Sequence, residues 1–319
     1  MLVECSNCLS AISDVESLRE VELAKPLLHI LQILGSTESE LVKHSLGFIG
    51  NVASSNRTGI INPNKEFLVR NQGLESLVNV LKYHLCSSDN VLRSVEYEII
   101  ENAIFALKNL TANFVSLERT SSVRKQFADI EGALMTILDH LYATQLLYQP
   151  RMNRLQFQIF DIQIDNRLDL LLILQRLVDA GLTGRLLKAS TSTGINCTET
   201  FINVILQAAD VKERCTFEQQ KAKLSNTIEQ SLNIIRRLGD HPKFPQQMRP
   251  LIGFIDIVVH EPSIRDQFYQ DSVFMDIIRF YLAHKQPEFS DLARTIISKI
   301  EECDVSMQLA EVLDEHYMS

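Results

Sequence analysis

The sequence predicts an all-α fold, a right-handed α-solenoid of about six helical repeats that is degenerate in its middle. Three observations carry that expectation. Glycine (11) and proline (8) are scarce in a chain of 319 residues, at about half their usual shares of roughly 7% and 5%, so little of the length is available for hairpins. Apolar residues recur at spacings of three and four, the period of a helix with one buried face. Two kinds of helical segment also recur along the chain, and a helical hairpin that cannot bury its apolar stripe alone must stack on its neighbours. The 45% hydrophobic and 22% charged content excludes wholesale disorder.

In chain order, residues 1–34 contain the apolar run Leu27, Leu28, Ile30, Leu31, Ile33 and Leu34 and are expected to cap the N-terminal end with helices. A longer amphipathic helix ends over Ser45 to Ala53. Its core stripe is Leu41, Val42, Leu46, Ile49 and Ala53, while Lys43, Gly47, Gly50, Asn51 and Ser54 face away. Two glycines inside a helix cost roughly 1 kcal/mol each relative to alanine. Either they admit a ligand backbone beside Asn51, or they let the neighbouring helix pack closely. A polar loop, Ser54 to Asn64, then leads into a helix corner over Leu68 to Leu81, in which Gly73 is expected to end a short helix in the left-handed conformation before a second apolar helix departs.

The same theme returns at Phe127 to Leu138, with Gly132 lying 59 residues after Gly73, and again at Val178 to Leu187 around Gly181. A fourth corner without glycine is expected at Ile264 to Phe268 and Val273 to Ile278. Between the first two corners lies a second long helix, Glu96 to Asn113. Its buried stripe is Ile100, Ala103, Ile104, Leu107 and Leu110, opposite Glu98, Glu101, Phe105, Lys108, Asn109 and Ala112. Phe105 is the informative member of that face, because an aromatic among polar groups costs solubility unless something covers it. That cover is either a ligand or a neighbouring repeat.

The long helices, closing on Gly-Asn-Val-Ala at Gly50–Ala53 and on Ala-Leu-Lys-Asn-Leu at Ala106–Leu110, together with the glycine corners that follow them, resemble the armadillo (ARM/HEAT-like) repeat family. Further third-helix candidates end near Asp161, Gln207, Asp256 and Lys299. Successive differences from Asn51 through Asn109 to Lys299 are 58, 52, 46, 49 and 43 residues, against roughly 40 to 47 for such units. The resemblance implies one solenoid over 1–319, with 1–34 as the N-terminal cap and 303–319 as the C-terminal cap or tail. It also implies a concave face built from third helices, where an asparagine hydrogen-bonds the backbone of an extended peptide and an aromatic four residues earlier packs on its side chains. Phe105 and Asn109 have that spacing. Lys43, Gly47 and Asn51 stand at the matching places one unit earlier, Phe157 and Asp161 one unit later, and Asp256 and Lys299 in the last two. Asp161 and Asp256 would favour a basic segment through charge-assisted hydrogen bonds.

Other functions are poorly supported by the residues. Net charge is -9, without the basic footprint that nucleic acid requires. No apolar stretch approaches the roughly 18 residues of a membrane span, and the N-terminus does not resemble a signal peptide, so a cytoplasmic or nuclear location is expected. The six cysteines, Cys5, Cys8, Cys86, Cys197, Cys215 and Cys303, are expected to be free thiols. His260-Glu261 meets Ile264 where a zinc-protease helix needs its second histidine, and Cys5-x-x-Cys8 has no second ligand pair. No metal, cofactor or catalytic constellation is expected. The chain is therefore expected to be a non-enzymatic scaffold or adaptor for a partner protein or peptide, the alternative being an armadillo-type regulator of small GTPases acting through its long N-terminal loops.

Overall fold

The computed structural model describes residues 2–13, 21–54, 61–85 and 94–239, with 282, 290, 291, 294, 297 and 298. Asp256, Lys299, the corner at 264–278 and the cap at 303–319 lie outside the described residues. The chain divides into two compact units, Met1–Ile234 and Ile235–Ser319; the elements below belong to the first, except that the last helix continues to Gly239.

Twelve helices are described: α1 (Leu2–Ile12), α2 (Ala24–Ile33), α3 (Ser39–Val52), α4 (Pro63–Arg70), α5 (Gly73–Tyr83), α6 (Ser94–Thr111), α7 (Leu117–Asp129), α8 (Ala133–Ala143), α9 (Arg154–Asp179), α10 (Thr183–Leu186), α11 (Cys197–Arg214) and α12 (Glu218–Gly239). Among the described residues the nearest thing to a sheet is one isolated antiparallel bridge, Ser190 to Asn196. Helices α1, α3, α6 and α9 pack side by side in sequence, α5, α8 and α11 form a second row, α7 touches both rows, and α4 packs on α2 and α5. This is an all-helical repeat architecture of stacked helix pairs.

Side-chain caps start four of these helices. Asn62 precedes Pro63 and accepts from the Lys65 amide; Ser116 accepts from Arg119; Asn196 accepts from Glu199. Asn153 and Gln156 form a reciprocal capping box at the start of α9. The predicted core stripes are buried: Leu41, Val42, Leu46, Ile49 and Ala53 on α3 and just beyond it, and Ile100, Ala103, Ile104, Leu107 and Leu110 on α6. Cys197 and Cys215 are buried, and burial pushes the Cys197 thiol up to about 12. Cys5 and Cys8 are free but exposed on α1.

Two corners differ from expectation. In the first corner it is Gln72, at φ 62°, that takes the left-handed conformation, not Gly73. Gly73 opens α5, where a Cβ would lie 2.7 Å from the Leu68 carbonyl oxygen, so it serves close approach instead. Gly132 (φ 73°) and Gly181 (φ 76°) are left-handed as expected. The turn at Gly181, however, ends the third helix α9 and leads into the short α10, so it is not a first-to-second-helix corner. Ser116, only three residues after Asn113, caps α7, which Leu117 begins.

The largest correction concerns the middle of the chain. The third helix does not end at Asp161 but runs a further 18 residues to Asp179. Asp161, Asp165 and Asp169 recur every four residues, so they mark one face of a continuing helix. Gln207 does not close a third helix either. It lies in α11, which packs on α8 in the second row, and its Oε1 accepts from the buried Arg167, which also donates to the Thr144 carbonyl.

Candidate protein-binding face

The third-helix row is held in register by a repeated polar contact. Asn51 Nδ2 donates to the Ser10 carbonyl and to Ser13 Oγ, each at 3.2 Å. Asn109 Nδ2 donates to the Gly50 carbonyl at 2.9 Å and to Ser54 Oγ at 3.1 Å. One helix on, Arg176 Nη1 donates to the Lys108 carbonyl at 2.5 Å. Gly50 precedes Asn51 and Lys108 precedes Asn109 in the chain, so each donor reaches the carbonyl just before the previous donor. Arg176, not Asp161, occupies the third asparagine-like place. Both N–H groups of each asparagine amide are thus engaged within the solenoid.

The glycines serve the same packing. A Cβ on Gly50 would sit 2.5 Å from Phe105 Cδ1, and one on Gly47 would sit 2.7 Å from Ser10 Oγ. Phe105 is half-buried over Gly50 at the α3–α6 contact, with Lys108 Nζ 4.8 Å from its ring centroid. Phe157 is half-buried and meets Phe217 edge-on at 4.9 Å between ring centroids.

Charge is concentrated along the same row. Lys43 Nζ lies 2.5 Å from Glu40 and 3.2 Å from Glu98; burial opposes its charge, but these carboxylates outweigh it and raise its pKa. Lys108 meets Asp169 at 2.7 Å, and Lys223 of α12 meets Asp161 and Asp165 at 2.8 Å each. Gln220 adds a bond to Asp161 at 3.2 Å. Glu101 of α6 lies within the field of Asp165, Glu98, Asp161 and Asp169; burial first, then those charges, push its carboxyl up to about 7. Burial likewise raises Asp169 against the pull of Lys108.

The structure therefore groups Lys43, Gly47, Asn51, Phe105 and Asn109 on α3 and α6, and links α6 through Glu101 to Asp161 on α9. Phe157 lies one turn before Asp161, next to α12. Sequence reasoning missed Asp165, Asp169, Arg176 and Lys223 as members of this face. The four-residue recurrence of aspartate along α9 was the signal for the first two. Lys223 and Arg176 carry none, because their roles depend on which helices become neighbours.

Among the described residues there is no cluster of three or more His, Cys, Asp or Glu side chains arranged to hold a metal, and no helix is long and apolar enough to cross a membrane. No family model matches the sequence, and no curated protein does. Solved structures do match in fold. A crystal structure of SYS-1 superposes with a TM-score of 0.56 at 13% identity, over 93% of this chain and 51% of that one. A crystal complex of SYS-1 with POP-1 gives 0.55 at 13% over the same shares. A structure from work on a phosphorylation switch between cadherin and beta-catenin gives 0.53 at 15%, over 92% and 56%. The chain thus spans about half the length of the structures it matches. At such identities the likeness shows the fold alone, and that fold is the stacked helical repeat of armadillo and beta-catenin-like proteins.

Proposed function

We propose that this chain is a non-enzymatic scaffold or adaptor that takes an extended, basic segment of a partner protein along its third-helix row. The carrying observation is the surplus of carboxylates there. Glu40, Glu98, Glu101, Asp161, Asp165 and Asp169 outnumber Lys43, Lys108, Arg176 and Lys223, and a Lys- or Arg-bearing segment relieves that imbalance. Proteins of this fold bind other proteins: SYS-1 has been crystallised with POP-1, and beta-catenin interacts with cadherin. In the proposed face Phe105 and Phe157 supply apolar surface, Asp161 and its neighbours supply charge, and Lys43, Gly47, Asn51 and Asn109 fix the helices that present them. Backbone pinning by the asparagines is not needed, since their N–H groups already join neighbouring helices. The small-GTPase alternative finds no support in the fold comparisons, and the loops it relied on lie partly in residues 55–60 and 86–93, outside the described set.

Fluorescence anisotropy with 15-residue peptides graded from Glu-rich to Lys/Arg-rich tests the reading. Affinity is expected to rise with positive charge and to fall about three- to tenfold per carboxylate on Asp161→Asn or Asp165→Asn. Equal affinity across the series, or for wild type and both variants, overturns the basic-segment assignment.

A further inference from the structure

A second polar site lies where α6 ends against α4, α7 and α9. Three cations converge there on backbone carbonyls. Lys65, only 3% exposed, donates from Nζ to the Ala112 and Asn113 carbonyls at 3.1 Å each and lies 4.1 Å from the Phe114 ring centroid. Arg124 donates from Nε to the Thr111 carbonyl at 3.1 Å, from Nη2 to Asn113 Oδ1 at 3.0 Å and from Nη1 to the Arg176 carbonyl at 3.3 Å. Arg176 closes the group through its bond to the Lys108 carbonyl.

Cations at a helix C-terminus answer its dipole, but that dipole amounts to roughly half a charge, less than the Arg124 and Arg176 guanidiniums carry even with Lys65 left out. The carboxylates acting on Lys65 and Arg176 are committed elsewhere: Glu66 forms paired hydrogen bonds to Arg119, and Asp169 meets Lys108. The excess registers on the cations themselves. Burial, then Arg176 and Arg124, bring Lys65 down to about 7, and burial with Arg124 brings Arg176 down to about 10.

Beside this group opens a solvent-facing cavity of about 360 Å³ whose polar wall is Asn113, Arg124, Gln175, Arg176 and Asp179. A guanidinium has five N–H donors. Arg124 and Arg176 both line the cavity, and the bonds above use three donors of Arg124 and one of Arg176. Asp179 is exposed on the same wall. We propose that this cavity binds a phosphate-type dianion, held by the Arg176 and Arg124 guanidiniums with Gln175 beside them. Two guanidiniums match the charge and the multiple acceptor oxygens of a phosphoryl group. The volume exceeds that of one phosphate, so the anion is either free inorganic phosphate or a phosphoryl group carried on a side chain of a partner.

Isothermal titration of the full chain with inorganic phosphate and with blocked phosphoserine, at constant ionic strength in chloride, tests the site. One saturable site is expected, weakened about ten- to hundredfold in Arg176→Gln. Tighter binding of phosphoserine identifies a modified side chain as the source, and tighter binding of phosphate identifies the free ion; either order supports the site. Because Arg176→Gln also removes the bond to Lys108, circular dichroism checks its fold, and Gln175→Glu supplies an independent variant that places repulsion at the wall without touching the α6 carbonyls. Absence of saturable binding by the wild type, or unchanged affinity in both variants, overturns the proposal.

Discussion

Glu101 shows what one residue contributes to a crowded charged face. Its carboxyl is half-buried among Asp165, Glu98, Asp161 and Asp169, and its pKa rises from 4.5 to about 7. The folded state therefore favours the protonated form. The stability tied to that proton is fully present below pH 4.5, declines as pH rises, and is lost above about 7. Glu101→Gln keeps the neutral form at every pH. The variant is expected to match the wild type in thermal unfolding near pH 4.5 and to exceed it by about 1 to 3 kcal/mol at pH 8. A constant offset between the two across that range would remove burial among like charges as the cause. This charge pattern was only partly legible in the sequence. Glu98 and Glu101 stood on the polar face of a clear helix, but their crowding depends on Asp161, Asp165 and Asp169 being one continuous helix away.

At the scale of elements, the corners separate what a glycine pattern reveals from what it hides. Glycine 73 and glycine 132 align in sequence, yet in the structure Gln72 and Gly132 hold the equivalent left-handed place, each just before its second helix. Gln72 therefore carries strain that Gly132 does not. Gln72→Gly is expected to raise the unfolding free energy measured in urea, and Gly132→Ala to lower it, each by about 1 kcal/mol. Gly73→Ala should also destabilise, despite alanine's better helix propensity, because its Cβ meets the Leu68 carbonyl at 2.7 Å. If Gly73→Ala is neutral or stabilising, close approach is not what fixes that position. Periodicity found the stripes of α3 and α6 because each repeats over several turns. The 26-residue α9 was cut short because its aspartates resemble an ending when considered singly. Gln207 was assigned to the wrong row because amphipathicity identifies a buried face without identifying the helix that covers it.

Over the whole molecule, each polar rung of the third-helix row is local, but the charge it presents is collective. Asn51, Asn109 and Arg176 tie each helix to the one before it, so the row propagates by nearest-neighbour contacts. Phe105 over Gly50, a pairing invisible until α3 and α6 are adjacent, fills the space between two rungs. Such a row positions carboxylates from successive helices at fixed separations, and a chain with net charge -9 surrounds them with a field of the same sign. Two contributions to partner affinity then respond differently to salt. Attraction of a basic segment is screened as the Debye length shortens from about 14 Å at 50 mM to roughly 6 Å at 300 mM, whereas apolar contact with Phe105 or Phe157 is nearly insensitive to that change. Affinity for a Lys/Arg-rich peptide is accordingly expected to fall about tenfold across this range, mainly through slower association, with a shallower slope for the Asp161→Asn variant. Stopped-flow anisotropy at four salt concentrations measures both slopes. A flat salt dependence in the wild type would assign recognition to the aromatic surface and leave the carboxylates as helix-to-helix ties, whereas parallel slopes in wild type and variant would move the charged contact away from α9.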